Sequence, residues 1–162
     1  MVNVSGVREF IIDQSEFEKE LCNLMGWEYI DNQTKGDGAD CIAPDGTMIE
    51  LKFDWDSVKT ENHYLEYAQS NDDGGRWVPS GFPISVDEVE LWVVINEDWI
   101  RVFRVKLLKR FIWENRSRLK RTRTRAGVNR NRPGQLTKGY LIPFEELDGF
   151  LTSKIASPIK RK

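Results

Sequence analysis

Residues 89–95 read VELWVVI, an almost unbroken apolar run. A strand that alternates polar and apolar residues can leave one face to water, whereas a continuous apolar strand has to be covered on both. The run therefore predicts a strand at a sheet centre, with further layers on either side. Asn96-Glu97-Asp98 supplies a turn, and WIRVFRV (99–105) returns as an alternating strand. Residues 14–25, QSEFEKELCNLM, place Phe17, Leu21 and Leu24 at helical spacing, with Ser15 and Glu18 in a capping-box pattern and Gly26 as the stop. GWEYID and HYLEYAQ (63–69) read as strands, NQTKGDGAD and Asn71–Gly75 as loops, and Lys106 to about Leu119 as an amphipathic helix. RTRTRAGVNRNRPGQ reads as a basic loop, and GYLIPFEELDGFL as a strand leading into a helix near Pro143. The expected layout is α/β (α+β), with one mixed central sheet flanked by helices.

A chain of 162 residues, 40% hydrophobic, suits one domain with a real core. Residues 1–162 are expected to form that single domain, with a basic segment at 110–132 and a flexible tail at 153–162. No run approaches the roughly 18 apolar residues of a membrane span, and MVNVSGVREFIIDQ lacks the basic start and long apolar stretch of a secretory signal. Cys22 and Cys41 have no metal-type spacing with each other or with His63, the single histidine. They read as reduced thiols of a cytoplasmic protein, and a zinc-type site is not expected. Of the chain's 24 Lys and Arg and 26 Asp and Glu, nine bases and one acid fall between Arg110 and Arg132, so a segment near +8 is joined to a body near −10. Such asymmetry suits either a polyanionic partner or a plain solvated face.

The stretch ADCIAPDGTMIELKFD (39–54) predicts a hairpin. Pro44 presets the turn and Gly46 accepts positive φ. A loop of residues 44–46 pairs Ala43 with Thr47, so Asp40 falls opposite Glu50. Alternation puts Glu50 and Lys52 on one face and Ile49, Leu51 and Phe53 on the other. Two carboxylates held close repel, and a divalent cation offsets that cost; Mg²⁺ takes one or two carboxylates and keeps several waters. With a lysine alongside, these are the parts of a phosphodiester hydrolase. The alternative is ordinary strand charge alternation, with Asp40 paired to Lys52.

Asp40, a turn, then Glu50-Leu51-Lys52 resembles the PD-(D/E)XK nuclease signature, in the spacing of phage endonucleases and junction resolvases; Ala39 stands where the signature has Pro. Phe17-Glu18 resembles the family's helix glutamate. Lys52-Phe53-Asp54, Thr60-Glu61-Asn62, Leu65-Glu66-Tyr67 and Pro79-Ser80-Gly81 resemble the K-x-D, T-G-N, I-E and P-S-G pattern of small phage-type members, with Glu61 in place of Gly. The closing GYLIPFEEL extends the likeness across about 15–150. The resemblance implies a restriction-endonuclease-like fold and metal-dependent DNA cleavage by a phage-derived enzyme in the host cytoplasm. By position, Asp40, Glu50 and the Leu51 carbonyl would hold Mg²⁺ or Mn²⁺, Lys52 would activate or position the water, and Glu18 would be an outer or second-metal acid. Glu66 would either face the site from a neighbouring strand or be polar surface.

Arg116, Arg118, Lys120, Arg121, Arg123, Arg125, Arg130 and Arg132 are expected to clamp the backbone of duplex or branched DNA. His63 reads as a structural or surface residue rather than a general base, and Trp55 and Trp77 as the tryptophans best placed to stack on bases. Asp72-Asp73-Gly74 lacks the rest of a calcium loop and reads as a turn. Three rivals remain: a dimeric Holliday-junction resolvase, a non-catalytic nucleic-acid-binding or inhibitor protein on the same fold, and an RNA nuclease, since nothing in these residues separates ribose from deoxyribose.

Overall fold

The apolar run becomes strand β6 (Leu91–Ile95). Its neighbours are β3 (Met48–Phe53) and β7 (Trp99–Arg104). Among the described residues β6 is an interior strand of a six-stranded sheet that also holds β1 (Glu28–Tyr29), β2 (Cys41–Ile42) and β10 (Leu151–Ala156), in the order β1-β2-β3-β6-β7-β10. The computed structural model describes residues 16–30, 39–82, 89–125 and 134–158. Trp92 and Val94 enter one core cluster, and Val93 and Ile95 another. That division explains the sequence: each residue of β6 meets a covered face, so none can be polar.

The first face is covered by helix α1 (16–25). Leu21 and Cys22 pack there on Ile49, Leu51, Val93, Ile95, Ile100 and Val102. Gly26, at φ +71, ends α1, and the Trp27 N–H donates back to the Cys22 carbonyl at 2.8 Å. Ser15 of the capping-box pattern lies outside the described residues. Cys22 and Cys41, expected as separate thiols, are instead joined as a disulfide between α1 and β2 (Cys41–Ile42). Spacing along the chain hides this pair, because packing α1 on the sheet is what brings the two sulfurs together.

The second face is covered by a sheet that was not anticipated. It is four-stranded and antiparallel, ordered β5-β4-β9-β8, from β4 (Asn62–Ser70), β5 (Val78–Pro79), β8 (Lys120–Arg125) and β9 (Leu136–Pro143). Leu65 and Ile142 of this sheet pack with Trp92, Val94 and Phe103 of the first, and helix α3 (Val105–Asn115) adds Leu108 and Phe111. The short helices α2 (Ser57–Thr60) and α4 (Phe144–Leu147) lie together at one end of the β4–β9 pairing, where Asn62 faces Pro143 and the Phe144 N–H donates to the Glu61 carbonyl at 2.9 Å. The α+β class is as expected, but the strands divide into two sheets rather than one.

Three boundaries differ from the sequence reading. α3 stops at Asn115, not near Leu119, because the Asn115 amide bonds the Phe111 carbonyl at 2.8 Å and its own carbonyl accepts the Arg118 and Leu119 N–H groups in a turn. KRTRTR is strand β8, not loop: its threonines alternate with bases, and it pairs with β9 from Lys120↔Leu141 to Arg125↔Leu136. The expected tail at 153–162 begins instead inside β10 (Leu151–Ala156), which runs antiparallel on the edge of β7.

Candidate active site

The hairpin forms in the expected register. Ala43 N–H donates to Thr47 O at 2.9 Å, Gly46 takes φ +89, and β2 and β3 pair Cys41↔Ile49 and Ile42↔Met48. Continuing that register places Asp40 opposite Glu50 and Ala39 opposite Leu51. One main-chain bond reaches Asp40, whose N–H donates to the Ile49 carbonyl at 2.8 Å; the next link is made by a side chain. The backbone bends at Asp40, and its carboxylate Oδ2 accepts the Leu51 N–H at 2.8 Å, where the opposing strand's carbonyl would otherwise sit. A carboxylate thus stands in the plane of the sheet beside the Glu50-Leu51-Lys52 backbone. In an extended strand a residue's N–H and C=O point to the same side, so the Leu51 carbonyl is directed to the side occupied by Asp40.

Glu50 and Lys52 project from the face turned toward the second sheet. Glu50 is buried, and its Oε1 lies 2.5 Å from the Lys52 ammonium, whose side chain keeps 42% of its exposure. The parallel pairing of β3 with β6 sets Trp92 beside Glu50 and Val94 beside Lys52. The Lys52 Nζ lies 5.3 Å from the Trp92 ring centroid, within cation–π range. The salt bridge observed is therefore Glu50–Lys52, while Asp40 is tied to the Leu51 peptide. Asp54 follows two residues on; burial raises its carboxyl above the ordinary range, against hydrogen bonds from the Ser57 and Tyr64 peptides that lower it.

The other quoted motifs meet in space as well. Glu66 does not sit on a strand next to β3: it pairs with Gly139 in β9. Its Oε1 accepts the buried Ser80 hydroxyl at 2.6 Å, joining the Leu65-Glu66-Tyr67 strand to Pro79-Ser80-Gly81. Gly81, at φ +63, lies where a Cβ would come within 2.7 Å of the Glu66 carbonyl oxygen. Phe82 then meets Trp92 edge-on, with centroids 5.0 Å apart. Glu61 takes φ +52, the left-handed conformation for which the resembled pattern has Gly.

Glu18 lies on α1, whose Phe17 and Leu21 pack on the face opposite Glu50. Among the described residues no group of three His, Cys, Asp or Glu is placed to hold a metal ion, so Glu18 does not complete a three-acid cluster with Asp40 and Glu50. His63 is buried at 1% exposure among Phe103 and Phe144, with both ring nitrogens unbonded. Burial, reinforced by Arg101, lowers its pKa to about 3, which makes it a neutral core residue.

The basic residues are less an arm than a strand edge. Arg116 stacks on Trp113, Arg118 bridges to Glu146 at 2.8 Å, and Arg121 and Arg123 lie over Tyr140 and Trp77. Lys120 is exposed; Arg125 ends β8; Arg130 and Arg132 lie outside the described residues. Of the tryptophans expected to stack on bases, Trp55 is core, at 9% exposure, and Trp77 is half-buried; Trp113 is far more exposed, at 68%. Sequence reasoning missed Trp92 as the neighbour of Lys52, because it is hidden in an apolar run. A cavity of about 590 Å³ opens elsewhere, at the Thr47, Leu91 and Arg104 ends of the strands, and does not include the trio. No helix among the described residues is long and apolar enough to cross a membrane. Neither protein-family models nor curated proteins yield a match to the chain.

Proposed function

We propose that this chain is a metal-dependent endodeoxyribonuclease of restriction-endonuclease-like fold, hydrolysing DNA phosphodiester bonds. The observation that carries the reading is the register of the hairpin, which sets Asp40 opposite Glu50, with Lys52 2.5 Å from Glu50 and the Leu51 peptide between them. The mixed sheet with α1 on one face agrees with the fold that the resemblance implies.

The donor set suits a hard cation. Two carboxylates and one main-chain carbonyl are oxygen ligands, and Mg²⁺ is satisfied by so few because it retains waters. Asp40, Glu50 and the Leu51 carbonyl would hold Mg²⁺ or Mn²⁺, which supplies polarisation of the phosphoryl oxygen and a water of lowered pKa. Asp40 is fixed by the Leu51 N–H, so its carboxylate is oriented before any ligand arrives. Glu50, buried, holds the Lys52 ammonium over Trp92. Lys52, still partly exposed, is placed to stabilise charge on the phosphate or to orient the attacking water. Glu18 is an outer acid only if α1 reaches the site from its own face. Arg116 and Arg118 in the turn after α3, with the bases of β8, would hold phosphates without reading sequence.

The test is Mg²⁺- and Mn²⁺-dependent cleavage of linear, single-stranded and four-way branched DNA. Lys52→Ala and Glu50→Gln are expected to lower cleavage by about 10²–10³-fold while DNA binding persists, and chelation with EDTA is expected to abolish it. Absence of metal-dependent cutting on every DNA form would leave the non-catalytic binding protein standing instead.

A further inference from the structure

One face of the second sheet changes character along its length. His63, Leu65 and Ile142 pack at one end against the first sheet. The same face continues through Tyr140, paired with Leu65 and Arg121, to Lys138, paired with Ala68 and Arg123. Partners directly opposite in an antiparallel pair share a face, so Arg121, Arg123, Tyr140 and Lys138 stand on one surface. Trp77 joins it from the residue before β5: Lys138 Nζ lies 4.0 Å and Arg123 Cζ 5.2 Å from its ring centroid. Tyr67 packs against Tyr140 with the rings tilted by 39° and their centroids 4.8 Å apart. Three rings are therefore interleaved with three cations, and all six residues are half-buried or exposed.

We propose that this surface binds a single strand of DNA, its bases stacked on Trp77, Tyr67 and Tyr140 and its phosphates on Arg121, Arg123 and Lys138. Paired bases in a duplex hide their faces from a flat aromatic platform, whereas unpaired bases offer them; aromatic rings between cations are the arrangement single strands use. A duplex clamp needs only the charges. The platform also leads to the catalytic trio. From Trp77 the chain reaches Phe82, on Trp92 and hence beside Lys52, in five residues. That spans no more than about 18 Å. The substrate class is then DNA carrying an unpaired segment next to the bond to be cut. The path to Lys52 and the choice of DNA rest on the nuclease reading; the binding surface does not.

Binding is measured without divalent cation, by anisotropy of labelled dodecathymidylate, against a 12-base-pair duplex and dodecauridylate. The single DNA strand is expected to bind at least about tenfold tighter than the duplex, and Trp77→Leu to weaken it about tenfold. Trp77→Phe should recover most of that loss, which separates stacking from a folding defect. Arg121→Gln with Arg123→Gln, both exposed, should reduce the slope of log affinity against log salt by about 1.4. Tighter binding of the duplex or of the RNA, or an unchanged Trp77→Leu, overturns the proposal. Strand binding without any metal-dependent cutting would sink the nuclease reading alone; cutting with no strand preference would sink this one alone.

Discussion

Glu61 stands at φ +52, ψ 30 as the residue that ends α2, and its N–H reaches back to the Ser57 carbonyl. A side chain with a Cβ in this region costs about 1–2 kcal/mol, while glycine enters it freely at some cost in unfolded-state entropy. Glu61→Gly is therefore expected to stabilise the fold by about 0.5–1 kcal/mol, read as a higher urea midpoint with an unchanged m-value. His63 makes the opposite kind of statement. Its folded pKa is about 3, against an ordinary 6.5. As pH falls between those values only the unfolded chain takes the proton, so stability is lost at about 1.4 kcal/mol per unit. His63→Leu removes that dependence, and the wild type should lose about 2 kcal/mol relative to the variant between pH 7 and pH 5. Urea titrations in which wild type and His63→Leu lose the same stability between pH 7 and pH 5 would refute the assignment. Both residues were visible in the sequence. What was not visible was the backbone angle of one and the apolar cage of the other.

At the scale of elements, the join between β4 and β5 shows how close packing replaces long pairing. β5 has two residues, and Ser80 and Gly81 hold the segment against Glu66 through one hydroxyl–carboxylate bond and direct backbone contact. Gly81→Ala puts a Cβ 2.7 Å from the Glu66 oxygen at a positive φ. It is expected to cost at least about 2 kcal/mol; a denaturation midpoint within error of wild type would show that the segment is not held this way. β8 illustrates the limit of local signals. Its six residues hold four bases, a composition that predicts solvated loop, yet threonines at alternate positions and an open β9 edge make a strand. β10 is the same case on the edge of β7. The hairpin of β2 and β3 was legible because turn chemistry and alternation agreed on one register.

For the whole molecule, the decisive feature is that two sheets share one core. Ile142 and Leu65 of the second sheet pack with Trp92, Val94 and Phe103 of the first. Ile142, fully buried, is expected to cost about 2–5 kcal/mol when cut to Ala. The loss should appear identically in tryptophan fluorescence and far-ultraviolet circular dichroism, because neither sheet can release that core alone. Separate transitions for the two probes would contradict a shared core. The same packing decides the site: the face carrying Glu50 and Lys52 is the one that meets the second sheet, so these two lie beside Trp92, itself packed on Phe82, rather than on an open strand.

The sequence alone determined what depends on near neighbours: helix α1 and its glycine stop, the β6–β7 hairpin, and the register that sets Asp40 against Glu50. These follow from side-chain periodicity and turn geometry, which act over a few residues. Tertiary structure alone decided the division into two sheets, the disulfide between Cys22 and Cys41, the strand identity of β8 and β10, and the meeting of Glu66 with Ser80. Each of those needs groups far apart in the chain to find one another, and no local pattern encodes the partner. The carboxylate of Asp40 belongs to both: register placed it opposite Glu50, and only the bend in the folded chain turned it onto the Leu51 peptide.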